Sequence, residues 1–95
     1  MKVVYTADAL GDVAHILSFI AERSPHAASV GHRIDVAVKA LGIFPRAARV
    51  DRRSGVYERP IPGLPFILIY TVLEELVEVI AVFHTARDPA RKRRL

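Results

Sequence analysis

The residues best suited to chemistry in this chain gather towards its end. They are Arg49, Arg52, Arg53, Tyr57, Arg59, His84 and Arg87, the last two within the closing stretch VFHTARDPARKRRL. An imidazole beside guanidinium groups suits phosphate chemistry. Arginine would steady a pentavalent phosphorane, and histidine would act as general base or general acid. In a nuclease of that kind the working set would be His84, Arg59 and Arg87. Tyr57 and Arg59 stand two apart in a strand-like run and therefore face the same way. The second acid–base group is missing: no further histidine or well-placed carboxylate partners His84, and tyrosine is a poor base at a pKa near 10. The same residues would also make a cationic contact surface for an acidic partner.

Other chemistries find less support. The chain has no cysteine, which removes thiol, disulfide and zinc–thiolate chemistry. His15, His26, His32 and His84 have no metalloenzyme spacing beside a carboxylate set, so no metal is expected. The first three fall on helices or a helix start and read as exposed or hairpin-packing side chains. The serines lack a nucleophile elbow, and the five glycines are scattered rather than gathered into a phosphate loop. No cofactor is implied.

The 95 residues suggest one domain, 1–95, with a basic tail over about 88–95. A hydrophobic content of 52% with 25% charged residues fits a globular protein able to build its own core. The N-terminus MKVVYTADAL lacks the apolar run of a signal peptide. The longest apolar block, PFILIYTVL, is strand-sized rather than membrane-spanning. A cytoplasmic location without membrane contact is expected. The net charge of +4 is local: charges balance over 1–45 and over 46–85, and the excess comes from Arg87, Arg91, Lys92, Arg93 and Arg94 against Asp88.

Periodicity supplies the elements that must position these groups. KVVY at 2–5 reads as a strand. Thr6 then caps a helix over 7–22 with Asp8 in its first turn and an apolar stripe through Leu10, Val13, Ile16, Leu17 and Ile20. Ser24–Pro25 reads as the start of a second helix, with a stripe through Ala27, Val30, Ile34, Val38 and Leu41, widened by Val36 and Ala37, and Gly42 at its C-cap. The arginine-rich stretch 45–55 reads as a loop. Strands follow at 56–61, 66–72 and 77–84, the middle one apolar on both faces. The fold class is α+β, β-α-α-β-β-β, with a helix hairpin packed on a small, mostly antiparallel sheet.

Four segments in this order resemble the RelE/ParE toxin superfamily of bacterial type II toxin–antitoxin systems. They are YTADALGDVAHILSFIAERSP, ALGIFPRAARV, VYERPIPGLPFILIYTV and VEVIAVFHTARDP, and together they cover nearly the whole chain. The last two are the most specific, while Ala48 stands where the family commonly has glycine. The RelE branch cuts messenger RNA in the ribosomal A site with basic residues from the sheet and often a late tyrosine or histidine. The ParE branch, known from plasmid stabilisation systems, poisons DNA gyrase. Here the strands from residue 56 onward carry no lysine and no tyrosine follows Tyr70. The H.ARDP ending and RPIPGLPFILIY are more similar to the ParE branch. The resemblance thus implies a gyrase-inhibiting toxin, a binding protein rather than an enzyme, with ribosome-dependent mRNA cleavage as the alternative. It also implies a cognate ParD-like antitoxin held in a hetero-oligomeric complex. Expected target contacts are Arg59, His84, Arg87 and Arg91. Expected antitoxin contacts are Leu17, Ile20, Ile34, Phe66 and Leu68, along an apolar groove with basic rims.

Overall fold

Thr6 turns the first strand into the first helix. Its hydroxyl accepts from the Ala9 backbone N–H at 3.1 Å, satisfying one of the donors that a helix start leaves without a partner. The computed structural model describes residues 1–86. Strand β1 (Lys2–Tyr5) leads into helix α1 (Ala7–Ala21), helix α2 (Ala27–Ile43), and strands β2 (Arg49–Asp51), β3 (Val56–Pro60), β4 (Phe66–Leu73) and β5 (Leu76–His84). The sheet order is β1-β5-β4-β3-β2, with β1 parallel to β5 and the other pairs antiparallel. The expected α+β class and helix hairpin are present.

Three local expectations are corrected. The stretch read as a loop contains β2, whose three residues are all exposed and pair with Val56–Glu58 of β3. A short, charged edge strand buries no face, so it leaves no apolar alternation to detect. Helix α2 begins at Ala27, not at Pro25: His26 holds the cap position, and the Ser24 hydroxyl accepts from the His26 backbone N–H at 3.2 Å in a local turn. Gly42 lies inside α2 rather than at its C-cap, which is Phe44. The glycine serves close approach: a Cβ there would come 2.5 Å from the Met1 carbonyl oxygen. Met1 is held by its ammonium group, which donates to the Gly42 carbonyl at 2.7 Å.

The core lies between the hairpin and one sheet face. Ile34, Val38 and Leu41 of α2 meet Leu68, Tyr70, Val77, Val79 and Val82. On the opposite face Ile67, Ile69, Ala81 and Phe83 form a second buried cluster, so β4 is apolar on both faces as its sequence requires. The β4–β5 register steps from Ile69↔Ala81 to Tyr70↔Val79, leaving Ile80 as an extra residue in β5. Such a bulge swaps which alternate residues face the helices. Val77 and Val79 face them before it, Val82 after it, and His84 follows Val82 onto the same face.

The outer edge of β5 is treated in two ways. Its first half pairs with β1, through Lys2↔Leu76 to Tyr5↔Val79. Beyond that point α1 supplies the partners: the Thr6 hydroxyl donates to the Ile80 carbonyl at 3.3 Å, and an Asp12 carboxylate oxygen accepts from the Val82 N–H at 2.9 Å. These bonds fix the tilt of α1 across the sheet. Among the described residues, no helix is long and apolar enough to cross a membrane.

Candidate functional site

Two concave regions flank β4, and they differ in character. The first is a groove of about 560 Å³ between the hairpin and the β4–β5 end of the sheet. Its helical wall carries Asp12, His15, Ile16, Phe19, Ile20 and Val30; Leu64, Pro65, Phe66, Val82 and His84 form the rest. The groove is mainly apolar, with polar groups at its margins. Asp12 is engaged by β5. Phe19 is clasped by Arg23, whose guanidinium lies 3.7 Å from the ring centroid and also donates to the Phe19 carbonyl at 3.0 Å. Arg23 is steered in turn by Glu22 at 3.1 Å.

His84 sits at the mouth of this groove. Its ring packs edge-on to Phe66, centroids 5.5 Å apart, and its Nδ1 accepts from the Ala86 N–H at 3.2 Å. An accepting Nδ1 places the proton of the neutral ring on Nε2. The rest of the groove lining is mainly apolar, with Asp12 engaged by β5 and His15 as a second imidazole.

The second region lies at the other side of β4, on the β2–β3 edge. A cavity of about 480 Å³ is lined by Arg49, Glu58 and Arg59 together with alanines, prolines and Ile67. Arg49 and Glu58 stand opposite each other across the β2–β3 pair. Tyr57 and Tyr70 stack at 5.2 Å with their planes 15° apart, and the Tyr70 hydroxyl donates to the Pro45 carbonyl at 2.9 Å, tying the loop after α2 to the sheet. Burial raises the Tyr70 pKa above its ordinary 10.0; the nearby Arg59 charge opposes the rise and Tyr57 adds to it. Arg59 Nη1 is sealed from solvent and has no hydrogen-bond acceptor among the described residues.

The structure therefore divides the residues that the sequence grouped together. Arg59 and His84 share a sheet face, since their strand partners Leu68 and Phe66 both belong to the helix-side core. They line different concavities, however. Arg87 and Arg91 lie outside the described residues. Of the groove residues, Ile20 and Phe66 line it directly. Ile34 and Leu68 are 1% and 0% exposed and form its floor and core, without surface to offer a partner. Leu17 packs towards α2, its side chain set against Gly31.

Sequence reasoning missed Asp12 and Phe19. Asp12 looked like a solvent-facing helix residue; only the early end of β1 shows what it binds. Phe19 lies beside the helical stripe; Arg49 was among the candidates, but its place on a strand was not foreseen. Among the described residues no group of three or more histidine, aspartate or glutamate side chains is placed to hold a metal.

Comparison with known proteins places this scaffold. The family model described as ParE toxin of type II toxin-antitoxin system, parDE, matches residues 3–89. Y4kP of Sinorhizobium fredii, a protein that carries a toxin name, is 31% identical over 84 residues, covering 87% of this chain and 86% of that protein. Toxin RelE2 of Caulobacter vibrioides is 29% identical over 87 residues, covering 90% of this chain and 97% of its own. In a solved structure of the chromosomal ParDE system from P. aeruginosa, one chain superposes with a TM-score of 0.76. It is 20% identical, with 88% of this chain and 95% of that chain covered, and shows the shared fold.

Proposed function

The chain belongs to the ParE toxin family of type II toxin–antitoxin systems, and from that premise we propose that it acts in the cytoplasm as an inhibitor of DNA gyrase. It would do so by contact rather than by chemistry, and a ParD-like antitoxin would neutralise it. The observation that carries this reading is the setting of His84. Its Nδ1 is engaged by the backbone and its ring packs on Phe66 at the mouth of a mainly apolar groove; of the groove's other acid–base groups Asp12 is engaged by the Val82 N–H, and Arg59 lines a different cavity. A metal-free nuclease needs its general base, general acid and phosphate-steadying cation gathered around one point.

The groove itself suits an amphipathic helix. Such a segment would bury its apolar stripe against Ile16, Phe19, Ile20 and Phe66 and leave its polar side to solvent. An antitoxin seated there would cover His84, one of the proposed target contacts. Neutralisation would then be occlusion: capture and target binding draw on overlapping surface. Arg59 would contribute from the neighbouring edge, with Arg87 and Arg91 completing the target-facing set from the basic tail.

A purified sample added to gyrase tests the proposal. Loss of negative supercoiling with trapped double-strand breaks is the expected result, and antitoxin should restore the activity. The similarity to a protein named RelE2 favours one other reading, ribosome-dependent mRNA cleavage with His84, Arg59 and Arg87 as the working groups. Unimpaired gyrase alongside message cleavage in a translation extract would establish that reading instead.

A further inference from the structure

A side-chain bond crosses from helix α2 to the connection between β3 and β4. Arg33 Nη2 donates to the Pro62 carbonyl at 2.7 Å. What it grips is the middle of a tight turn. The Leu64 N–H donates to the Ile61 carbonyl at 3.1 Å, Pro62 fills the first central position, and Gly63 follows with a φ of 74°. Proline followed by a residue of positive φ makes a type II turn, whose central carbonyl takes no part in the turn's own hydrogen bond. That carbonyl belongs to Pro62, and Arg33 engages it. Gly63 suits the position for two reasons. Its φ lies in the left-handed region that side chains disfavour, and a Cβ there would run into the Arg33 guanidinium.

The turn matters because of what it carries. Leu64, Pro65 and Phe66 form one wall of the apolar groove, while Val30, one helical turn before Arg33, belongs to the helical wall. Backbone bonds tie the first wall to the sheet: the Ile61 N–H donates to the Phe66 carbonyl at 2.9 Å, and the Thr85 N–H donates to the Pro65 carbonyl at 3.0 Å. Neither bond reaches the hairpin. Pro60, Pro62 and Pro65 have no N–H of their own to brace the stretch further. We propose that Arg33 is the positioning residue of the groove: by holding the Pro62 carbonyl it fixes the turn's central peptide, and so sets the Leu64–Phe66 wall at the spacing from α2 that a partner helix enters. Arg33 is itself exposed, so the bond adds little to the stability of the whole chain. Its effect is on readiness. A wall already in place spares the partner the cost of ordering it on binding.

The inference rests on the reading of the groove as the antitoxin's seat, and the first part of its test needs no antitoxin. In the free full-length chain, Arg33→Gln should shift the Gly63 and Leu64 amide signals in NMR spectra. Arg33→Lys, which keeps a charged donor, should restore most of the wild-type positions. In calorimetry with the cognate antitoxin, Arg33→Gln should weaken binding about fivefold, the scale of one hydrogen bond. Gly63→Ala, which pushes the guanidinium off the turn, should weaken it at least as much, and Arg33→Lys should recover most of the loss. Lys39→Gln removes the same charge from the same helix and should change neither the signals nor the affinity. The two Arg33 variants should melt within about 3 °C of the wild type, so they carry the test if Gly63→Ala does not fold. Unmoved Gly63 and Leu64 signals in Arg33→Gln, wild-type affinity in that variant, or an equal loss in Lys39→Gln would each overturn the positioning role. Antitoxin bound by Ile20→Asp as tightly as by the wild type would overturn the groove reading instead, and the free-chain signals would still decide whether Arg33 holds the wall.

Discussion

The groove beside α1 and the arginine edge of β2–β3 lie on either side of one strand, yet they are built on opposite terms. The groove is apolar, and its walls come from long elements anchored in the core: Ile20 from a 15-residue helix, Phe66 and Val82 from the two longest strands. The edge is charged, and its walls come from a three-residue exposed strand, a loop and two prolines. The groove is stabilised by the same burial that folds the chain. The edge retains, in Arg59 Nη1, a buried guanidinium nitrogen without an acceptor among the described residues. The contrast underlies the proposed reading, in which the apolar groove receives an amphipathic helix.

The most damaging way to break the comparison is to remove what the two regions share. Leu68 is 0% exposed and pairs with Arg59 on one side and Val82 on the other. Leu68→Ala should cost about 2–5 kcal/mol of stability through the cavity it leaves, and should loosen both regions at once. Chemical denaturation measures it; a loss confined to one region's binding would contradict the shared floor.

Ile20→Asp separates the regions. A charge in the middle of the apolar groove should weaken antitoxin by about 30-fold or more, the scale of a lost hot spot of roughly 2 kcal/mol. Because Ile20 is only half-buried, the melting temperature should move little. Calorimetry on the variant reads both quantities.

Asp12→Ala acts on the groove through the fold. It strands the Val82 N–H that Asp12 accepts at 2.9 Å. An unmatched, partly buried donor costs about 1–3 kcal/mol. Amide exchange at Val82 should speed up, while exchange at Val77, on the half of β5 paired with β1, should not.

The smallest effect belongs to the edge. Tyr70→Phe loses one hydrogen bond to Pro45, worth about 1 kcal/mol. It also removes a pH dependence. The folded pKa of Tyr70 is raised above 10.0, chiefly by burial, so the protonated form is the one that folding favours. Its contribution is fully present below the unfolded value near 10 and is lost as pH rises through the higher folded value. Wild-type stability should therefore fall more steeply above pH 10 than that of Tyr70→Phe, as thermal melts across that range would show.

How much of each region the sequence reveals follows from burial. Strands β3 to β5 and the first helix are legible because each turns a face towards the core, and burial imposes period and composition. Phe66 and Ile20 were accessible to that reasoning for the same cause. The β2 strand was not: Arg49, Val50 and Asp51 bury nothing, and what makes them a strand is backbone pairing. Asp12 was invisible because its role depends on where β1 stops relative to β5. The facing of His84 was hidden by a single residue, Ile80, whose bulge turns His84 onto the same face as Arg59. A continuous apolar run such as VIAVF gives no sign of where alternation slips.

The central claim is that antitoxin capture resides in the groove and that occupying it silences a gyrase-directed toxin. One supercoiling assay tests both parts: gyrase with the wild-type chain or with Ile20→Asp, each with and without antitoxin. The account predicts that both chains inhibit gyrase, and that antitoxin rescues it from the wild type but not from Ile20→Asp. Gyrase unaffected by either chain, or rescued equally from both, would contradict it.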